Sequence, residues 1–170
     1  MSRSVISRQF SVVFALLIVT VAPRVARAQL GIDVGAKAPD AAVETLDGQP
    51  AQLATAFAGK AAVMEFWATW CPNCKQLEPH MEAMQAKYAG KVVFVGVAVS
   101  VNQSPERVRR YTAEHLKGFT HFYDRRGNAV GDYDVPATSY VVVVDRAGKV
   151  VYTGVGGDQK LEDAILKALK

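Results

Sequence analysis

The stretch that decides the fold of this 170-residue chain is Phe66-Trp67-Ala68-Thr69-Trp70-Cys71-Pro72-Asn73-Cys74-Lys75, which joins an apolar segment to one with helical spacing. Cys71 and Cys74 are the two cysteines of the chain. Their separation places both sulfur atoms on one face of a first helical turn, close enough to join. The unpaired N–H groups and the positive dipole end of a helix start favour a thiolate on Cys71. The spacing therefore predicts that Cys71 is a nucleophile and Cys74 its resolving thiol.

A cysteine pair of this spacing exchanges disulfides with a partner, but it also fits two other structures. It can be half of a zinc site, which the three histidines of the chain would have to complete. It can also be a structural disulfide, although so short a loop contributes little stability through loop entropy. Haem attachment is excluded because Lys75, and not a histidine, follows Cys74. The histidines concerned are His80, His115 and His121.

Strand and helix patterns alternate on both sides of the cysteine pair. Apolar runs predict strands at 61–67 and 92–99, and apolar residues at helical spacing predict a helix over 72–88. Asp47-Gly48 predicts a hairpin turn within 43–53. Strands that are apolar without alternation are typical of a sheet covered on both faces, so the predicted fold class is α/β with a central mixed sheet. The remaining predicted elements are a helix at 104–116, a strand at 119–123, a short helix at 126–133, a hairpin of 140–144 with 150–154, and a terminal helix at 159–169.

Several short motifs stand in a recognisable order before the cysteines. They are Gly35-Ala36-Lys37-Ala38-Pro39-Asp40, Leu46-Asp47-Gly48 and Gly59-Lys60, followed by the stretch from Phe66 to Cys71. In this order the chain resembles the thioredoxin superfamily, and within it the exported TlpA-like and ResA-like thiol-disulfide oxidoreductases. The resemblance covers nearly all of residues 29–170. It implies a thioredoxin-like fold with an N-terminal hairpin, a central mixed β-sheet flanked by helices on both faces, and a central insert at 99–133.

The same resemblance implies a function. It implies an exported enzyme that exchanges disulfides with partner proteins, more as a reductant than as an oxidant. No metal and no cofactor besides the redox-active Cys71–Cys74 disulfide is expected. Its electrons would come from a membrane thiol transporter, because a reductant outside the cytoplasm needs a source across the membrane. Two other functions stay open: a redox-inert metal-binding or chaperone module of the same fold, and a thiol peroxidase.

Glu65 lies six residues before Cys71, where thioredoxins carry a buried acid. In a strand, Val63 and Trp67 share its face while the opposite face is also apolar, so the carboxyl group would be desolvated. Burial raises the pKa of a carboxyl group, and such a group can accept the proton of Cys74. The sequence therefore makes Glu65 a third candidate catalytic residue, with an exposed glutamate near a strand end as the alternative.

The chain departs from the superfamily opposite the cysteine pair. Thioredoxin-like proteins place a cis proline there, just before a strand, and an ungapped count puts that position on Ser139. Pro136 lies three residues earlier and could serve after a shift in register. The alternative is that Ser139 acts there together with Thr138. We expect the substrate to contact these two residues and, on the cysteine side, Trp70 and Pro72.

The first 28 residues predict a secretory signal peptide. Arg3 and Arg8 form a positively charged start, and the stretch 10–22 is uncharged and mostly apolar. Ala26-Arg27-Ala28 carries small residues at the two positions that signal peptidase reads. An uncleaved membrane anchor is the alternative, although the apolar run is shorter than the roughly 20 residues that a spanning helix needs.

Cleavage after Ala28 would leave residues 29–170 as one thioredoxin-like domain in the periplasm or outside the cell. The formal net charge of +4 equals the four arginines of residues 1–28, which contain no acidic residue. The rest of the chain is therefore formally neutral, so neither a nucleic-acid partner nor an acidic membrane surface is indicated. We expect a monomer.

Overall fold

The computed structural model describes residues 30–170, so the predicted signal peptide lies outside the described residues. Strands and helices alternate along this part of the chain. In order they are β1 (Ala42–Thr45), β2 (Pro50–Gln52), a 3-10 helix (Leu53–Ala56), β3 (Ala61–Trp67), α1 (Pro72–Lys87), β4 (Val92–Val99), α2 (Pro105–Thr112), β5 (Thr120–Asp124), α3 (Asn128–Asp132), β6 (Tyr140–Val144), β7 (Val150–Val155) and α4 (Leu161–Ala168).

The seven strands form one sheet in the order β2-β1-β5-β4-β3-β6-β7. β4 pairs in parallel with β3 and with β5, whereas all other neighbouring strands are antiparallel. The predicted mixed sheet is thus confirmed. β3 lies between β4 and β6, and its carboxyl end leads directly to the cysteines.

The central strands are buried on both faces. Every residue of β3 and of β6 is buried. Because successive side chains of a strand point to opposite faces, both faces of the sheet are covered. α1 packs against β4, and α4 packs against β3, β6 and β7. Among the helices of residues 30–170, none combines the length and the apolar character needed to cross a membrane.

The central insert extends the sheet rather than lying outside it. Its strand β5 pairs with β4 on one side and with β1 on the other, which attaches the predicted N-terminal hairpin of β1 and β2 to the sheet. Its helix α2 begins as the sequence predicts, since the Ser104 hydroxyl accepts a hydrogen bond from the Arg107 N–H at 3.3 Å.

The predicted helix at 104–116 is wrong at its end, because α2 stops at Thr112. The chain turns there toward α1. The backbone N–H of Leu116 donates to the Glu82 carboxylate of α1 at 2.8 Å, and Leu116 has a positive φ of 52°. The helix therefore ends before its sequence pattern does, where the following turn contacts α1.

The terminal helix also begins later than predicted, at Leu161 instead of residue 159. Gln159 is buried, and its side-chain amide donates to the backbone carbonyls of Ser139 and Gly156 at 3.1 and 2.7 Å. This bonding holds Gln159 against the sheet. The short helix α3 occupies only the middle of its predicted range.

Candidate active site

Cys71 and Cys74 are joined in a disulfide at the start of α1, with their Cα atoms 5.3 Å apart. Cys71 is the N-cap of the helix, and its sulfur accepts a hydrogen bond from the Cys74 N–H at 3.1 Å. Pro72 opens the helix, where a missing N–H costs no hydrogen bond. The predicted proximity of the two sulfurs is confirmed. In the reduced protein, the backbone N–H of Cys74 can stabilise negative charge on the Cys71 sulfur.

Buried contacts hold the first turns of α1 against the sheet. Leu77 and Met81 are buried one and two turns after Cys74, on the same face of the helix. Cys71 and Cys74 are themselves almost completely buried. A partner must therefore approach the disulfide closely, and the side chains around it control access.

Glu65 lies in the middle of the sheet, paired with Gly96 of β4 on one side and Val141 of β6 on the other. It is 1% exposed, so the alternative of a solvent-exposed glutamate is wrong. Its Oε1 has no hydrogen-bond partner among residues 30–170. Burial, and to a smaller extent the negative charge of Glu78, raise the pKa of Glu65 to about 8. This value is close to the ordinary thiol pKa of about 8.5, which suits proton exchange with a cysteine.

A second carboxyl group, Glu78, lies on the face of α1 that carries Cys74, one turn further along. It accepts hydrogen bonds from the Tyr111 hydroxyl and from His115 Nδ1, both at 2.6 Å. The Tyr111 and His115 rings stack with their centres 4.2 Å apart, and Tyr111 also contacts Trp67. Burial and Glu78 raise the pKa of Tyr111. This cluster joins α1 to α2 and sets part of the electrostatic field at Glu65.

This cluster is not apparent from the sequence. Its one signal in the sequence is the spacing of four residues between Cys74 and Glu78, which puts both on one helix face. Tyr111 and His115 have the same spacing on the predicted helix of the insert. Nothing in the sequence indicates that the two helices meet, so the partners of Glu78 could not be predicted.

Two hydrogen bonds join the loop before Cys71 to the loop that leads into α2. The Thr69 N–H donates to Gln103 Oε1 at 2.9 Å, and the Trp70 indole N–H donates to the Val101 carbonyl at 2.8 Å. Trp70 is 37% exposed beside the disulfide and Pro72 is exposed, as substrate-contacting residues would have to be. Trp67, by contrast, is buried.

On the other side of the disulfide, Ser139 lies directly before β6 and is fully buried, with a positive φ of 62°. Thr138 before it is half-buried. Pro136 is exposed and lies outside the strand, and no peptide bond within residues 30–170 is cis. Ser139, the residue of the ungapped count, is thus the one that directly precedes β6.

The three histidines that a zinc site would need lie apart. His80 is exposed on α1, His115 bonds to Glu78, and His121 lies on β5 with its Nε2 3.2 Å from the Leu116 carbonyl. Within residues 30–170, no three side chains of His, Cys, Asp or Glu are grouped to hold a metal ion.

Comparison with known proteins agrees with this geometry. The Redoxin family profile matches residues 33–169. The chain belongs to the Redoxin family. This Redoxin-family chain is 35% identical to the thioredoxin-like protein YneN of Bacillus subtilis over 136 residues, which are 79% of this chain and 78% of that protein. It is 28% identical to the thiol-disulfide oxidoreductase ResA of Bacillus thuringiensis subsp. konkukian, over 77% of this chain and 74% of ResA.

A solved structure is similar as well. A crystal structure from Chlorobium tepidum, described as a thiol:disulfide interchange protein DsbE, superposes with a TM-score of 0.71 at 33% identity. The match covers 82% of this Redoxin-family chain and 99% of that one. The predicted thioredoxin-like fold is confirmed, and so is the prediction of a thiol-disulfide oxidoreductase that works through its cysteine pair.

Proposed function

We propose that residues 29–170 act outside the cytoplasm as a reductant of disulfides in partner proteins. The observation that carries this proposal is the Cys71–Cys74 disulfide at the start of α1, in the same site as the buried Glu65. The N-terminal sequence supports export, because it combines a basic start, an apolar stretch and small residues at 26 and 28. An oxidising compartment is also where disulfide substrates persist.

In the proposed reaction the Cys71 thiolate attacks one sulfur of the partner's disulfide. A Cys71–partner bond forms, and the other partner sulfur leaves as a thiolate that takes up a proton. Cys74 then transfers its proton to ionised Glu65 and attacks the Cys71 sulfur. The mixed disulfide breaks, the second partner sulfur leaves, and the Cys71–Cys74 disulfide remains. Two electrons have passed to the partner.

The direction toward reduction is part of the proposal and follows what the resemblance to the TlpA-like and ResA-like oxidoreductases implies. A reductant has a low reduction potential and gives up its electrons readily. The cycle closes when a membrane thiol transporter, the electron source that we propose, reduces the disulfide again.

The proposed substrate contacts are Trp70, Pro72, Thr138 and Ser139. Trp70 and Pro72 border the disulfide and are accessible. Thr138 is half-buried and lies next to Ser139, whose own polar groups are used inside the protein. Trp70, 37% exposed, offers a partner an aromatic side chain.

A trapping experiment tests the exchange. The Cys74→Ser variant is expected to accumulate mixed disulfides with partner proteins through Cys71, because the resolving thiol is missing. The matched Cys71→Ser variant is expected to accumulate none. If both variants trap partners equally, or neither does, exchange with Cys71 as the nucleophile is wrong.

A redox titration of residues 29–170, followed by tryptophan fluorescence, tests the direction. A potential near that of thioredoxin, about −270 mV, supports a reductant. A potential near about −120 mV identifies an oxidant and contradicts the proposed direction. Thiols that never form the internal disulfide would favour the metal-binding function instead.

A further inference from the structure

An open groove of about 390 Å³ borders the active site on the side of α2. One wall comes from the active-site segment, since Thr69 precedes Cys71 by two residues and Lys75 directly follows Cys74. The other wall comes from α2 and the turn after it. The residues that line the groove are Thr69, Lys75, Arg107, Arg110, Tyr111, Glu114 and His115.

The groove carries an excess of positive charge that the protein does not neutralise. Within residues 30–170, Lys75, Arg107 and Arg110 form no salt bridge. Arg109, on another face of the same helix, pairs with Asp47 at 3.4 Å and with Glu106 at 3.8 Å. The arginine of α2 that points away from the groove is therefore paired with carboxylates, whereas the two arginines that line the groove are not.

Glu114 and His115 also line the groove, without cancelling its charge. Glu114 is exposed and is the one acidic residue among the lining side chains. His115 already bonds to Glu78 through Nδ1 at 2.6 Å. The three unpaired cations thus outnumber the single lining carboxylate.

A buried polar group in the groove wall also lacks a partner. Thr69 is 5% exposed, and its hydroxyl oxygen makes no hydrogen bond to any described residue. Its backbone N–H is already bonded to Gln103. A buried hydroxyl without a partner is unfavourable, and a polar ligand in the groove would remove this cost once the side chain turns toward it.

The edge next to the groove is apolar. Trp70 is held by its bond to the Val101 carbonyl, and Val101 is itself exposed. Aromatic and arginine side chains are enriched in surfaces that bind polypeptide, and Trp70 follows Thr69 of the groove directly in the chain. An arginine guanidinium binds carboxylates in a bidentate manner.

We propose that this groove binds an acidic stretch of the partner polypeptide, next to the disulfide that the partner presents to Cys71. This inference rests on the proposed function and names the substrate class of that same site. Carboxylates of the partner contact Arg107 and Arg110, while a polar backbone group of the partner bonds to the Thr69 hydroxyl. The binding positions the substrate disulfide and adds an attraction that salt weakens.

The test measures how fast the reduced protein reduces synthetic peptides that each contain one disulfide. Three peptides differ only in their flanking residues, which are aspartates, asparagines or lysines. The rate constant is expected to be about tenfold higher for the aspartate peptide than for the asparagine peptide at low ionic strength. This advantage is expected to disappear at about 0.5 M salt.

The double variant Arg107→Glu/Arg110→Glu is expected to lose the advantage of the aspartate peptide and to prefer the lysine peptide. Lys91→Glu/Lys117→Glu is the matched control, because it makes the same change of net charge at exposed positions outside the groove. It is expected to keep the preference. If the control loses the preference equally, or if wild type does not distinguish the peptides, the inference is overturned.

Two small disulfides complete the test. Bis(2-hydroxyethyl) disulfide is uncharged, so the peptide rates of wild type and of each double variant are expressed relative to its rate of reduction by the same protein. If neither wild type nor either double variant reduces this small disulfide, the proposed function fails. If all three reduce it and none prefers the aspartate peptide, only the groove inference fails. Glutathione disulfide carries carboxylates without a long chain. If the Arg107/Arg110 variant loses as much rate with it as with the aspartate peptide, the groove binds small anions and the polypeptide assignment is wrong.

Discussion

The two sides of the Cys71–Cys74 disulfide differ in how their polar groups are used. On the β6 side, the Ser139 N–H donates to the Phe66 carbonyl, its hydroxyl donates to the Gly156 carbonyl, and its carbonyl accepts from Gln159. On the α2 side, the Thr69 hydroxyl lacks a partner and the arginines of the groove are unpaired. The polar groups of Ser139 are paired within the protein, whereas the arginines of the groove are left for a ligand to pair with.

The difference between the two sides affects where a substrate can bind. Thioredoxin-like proteins place a cis proline just before the strand opposite the cysteines, where it keeps that backbone free for a bound peptide. Ser139 at this position engages its own backbone instead, in a conformation with positive φ. A partner can gain more hydrogen bonds and ion pairs on the α2 side, so we expect substrate selection to depend mainly on that side.

The largest expected effect concerns Glu65, which lies beneath the active site between β4 and β6. The unfolded chain loses this proton near pH 4.5, whereas the folded protein keeps it up to about pH 8. The free energy of unfolding should therefore fall as the pH rises through this window, by on the order of 5 kcal/mol, and then level off. Urea unfolding of the oxidised protein between pH 4 and pH 9 measures this loss.

Glu65→Gln should remove that part of the pH dependence, because the amide does not titrate. The exposed Glu114→Gln is the control and should leave the pH dependence unchanged. An unaltered slope in Glu65→Gln would show that the buried carboxyl group ionises normally. Above pH 8 we expect Glu65→Gln to unfold at higher urea concentrations than wild type.

The next effect tests whether the β6 side is closed. Ser139→Pro removes the N–H bond to Phe66 and cannot adopt a φ of 62°, so we expect it to destabilise the protein by about 3 kcal/mol or more. Ser139→Gly keeps the backbone bonds and tolerates the positive φ, and should stay within about 1 kcal/mol of wild type. Urea midpoints measure both. A stable Ser139→Pro variant that reduces peptides faster would show that this side can open to a substrate.

The smallest effect tests the α2 side. Thr69→Val removes a buried hydroxyl that has no partner, so the free energy of unfolding should stay the same or rise by up to about 1 kcal/mol. Thr45→Val is a useful contrast, because the Thr45 hydroxyl accepts a hydrogen bond from the Gln49 N–H at 3.1 Å. We expect this second variant to lose about 1 kcal/mol. If Thr69→Val destabilises the protein as much as Thr45→Val, the Thr69 hydroxyl already has a partner.

Local signals predicted much of the fold. The strands at 61–67 and 92–99 lie where their apolar runs placed them, because a fully buried strand needs uninterrupted apolar residues. The burial of Glu65 followed from the same reasoning, since its neighbours are apolar on both faces. The end of α2 and the start of α4 could not be predicted, because bonds from Leu116 to Glu82 and from Gln159 to Ser139 set them.

By itself the sequence determined the reactive pair. A separation of three between Cys71 and Cys74 at a helix start brings the sulfurs together whatever surrounds them, since helix geometry is local. Only the tertiary structure decided what surrounds the pair. It brought Glu78 against Tyr111 and His115, closed the hydrogen bonds of Ser139, and left the groove beside Thr69 positively charged. These contacts join residues far apart in the chain, and no local propensity determines which of them meet.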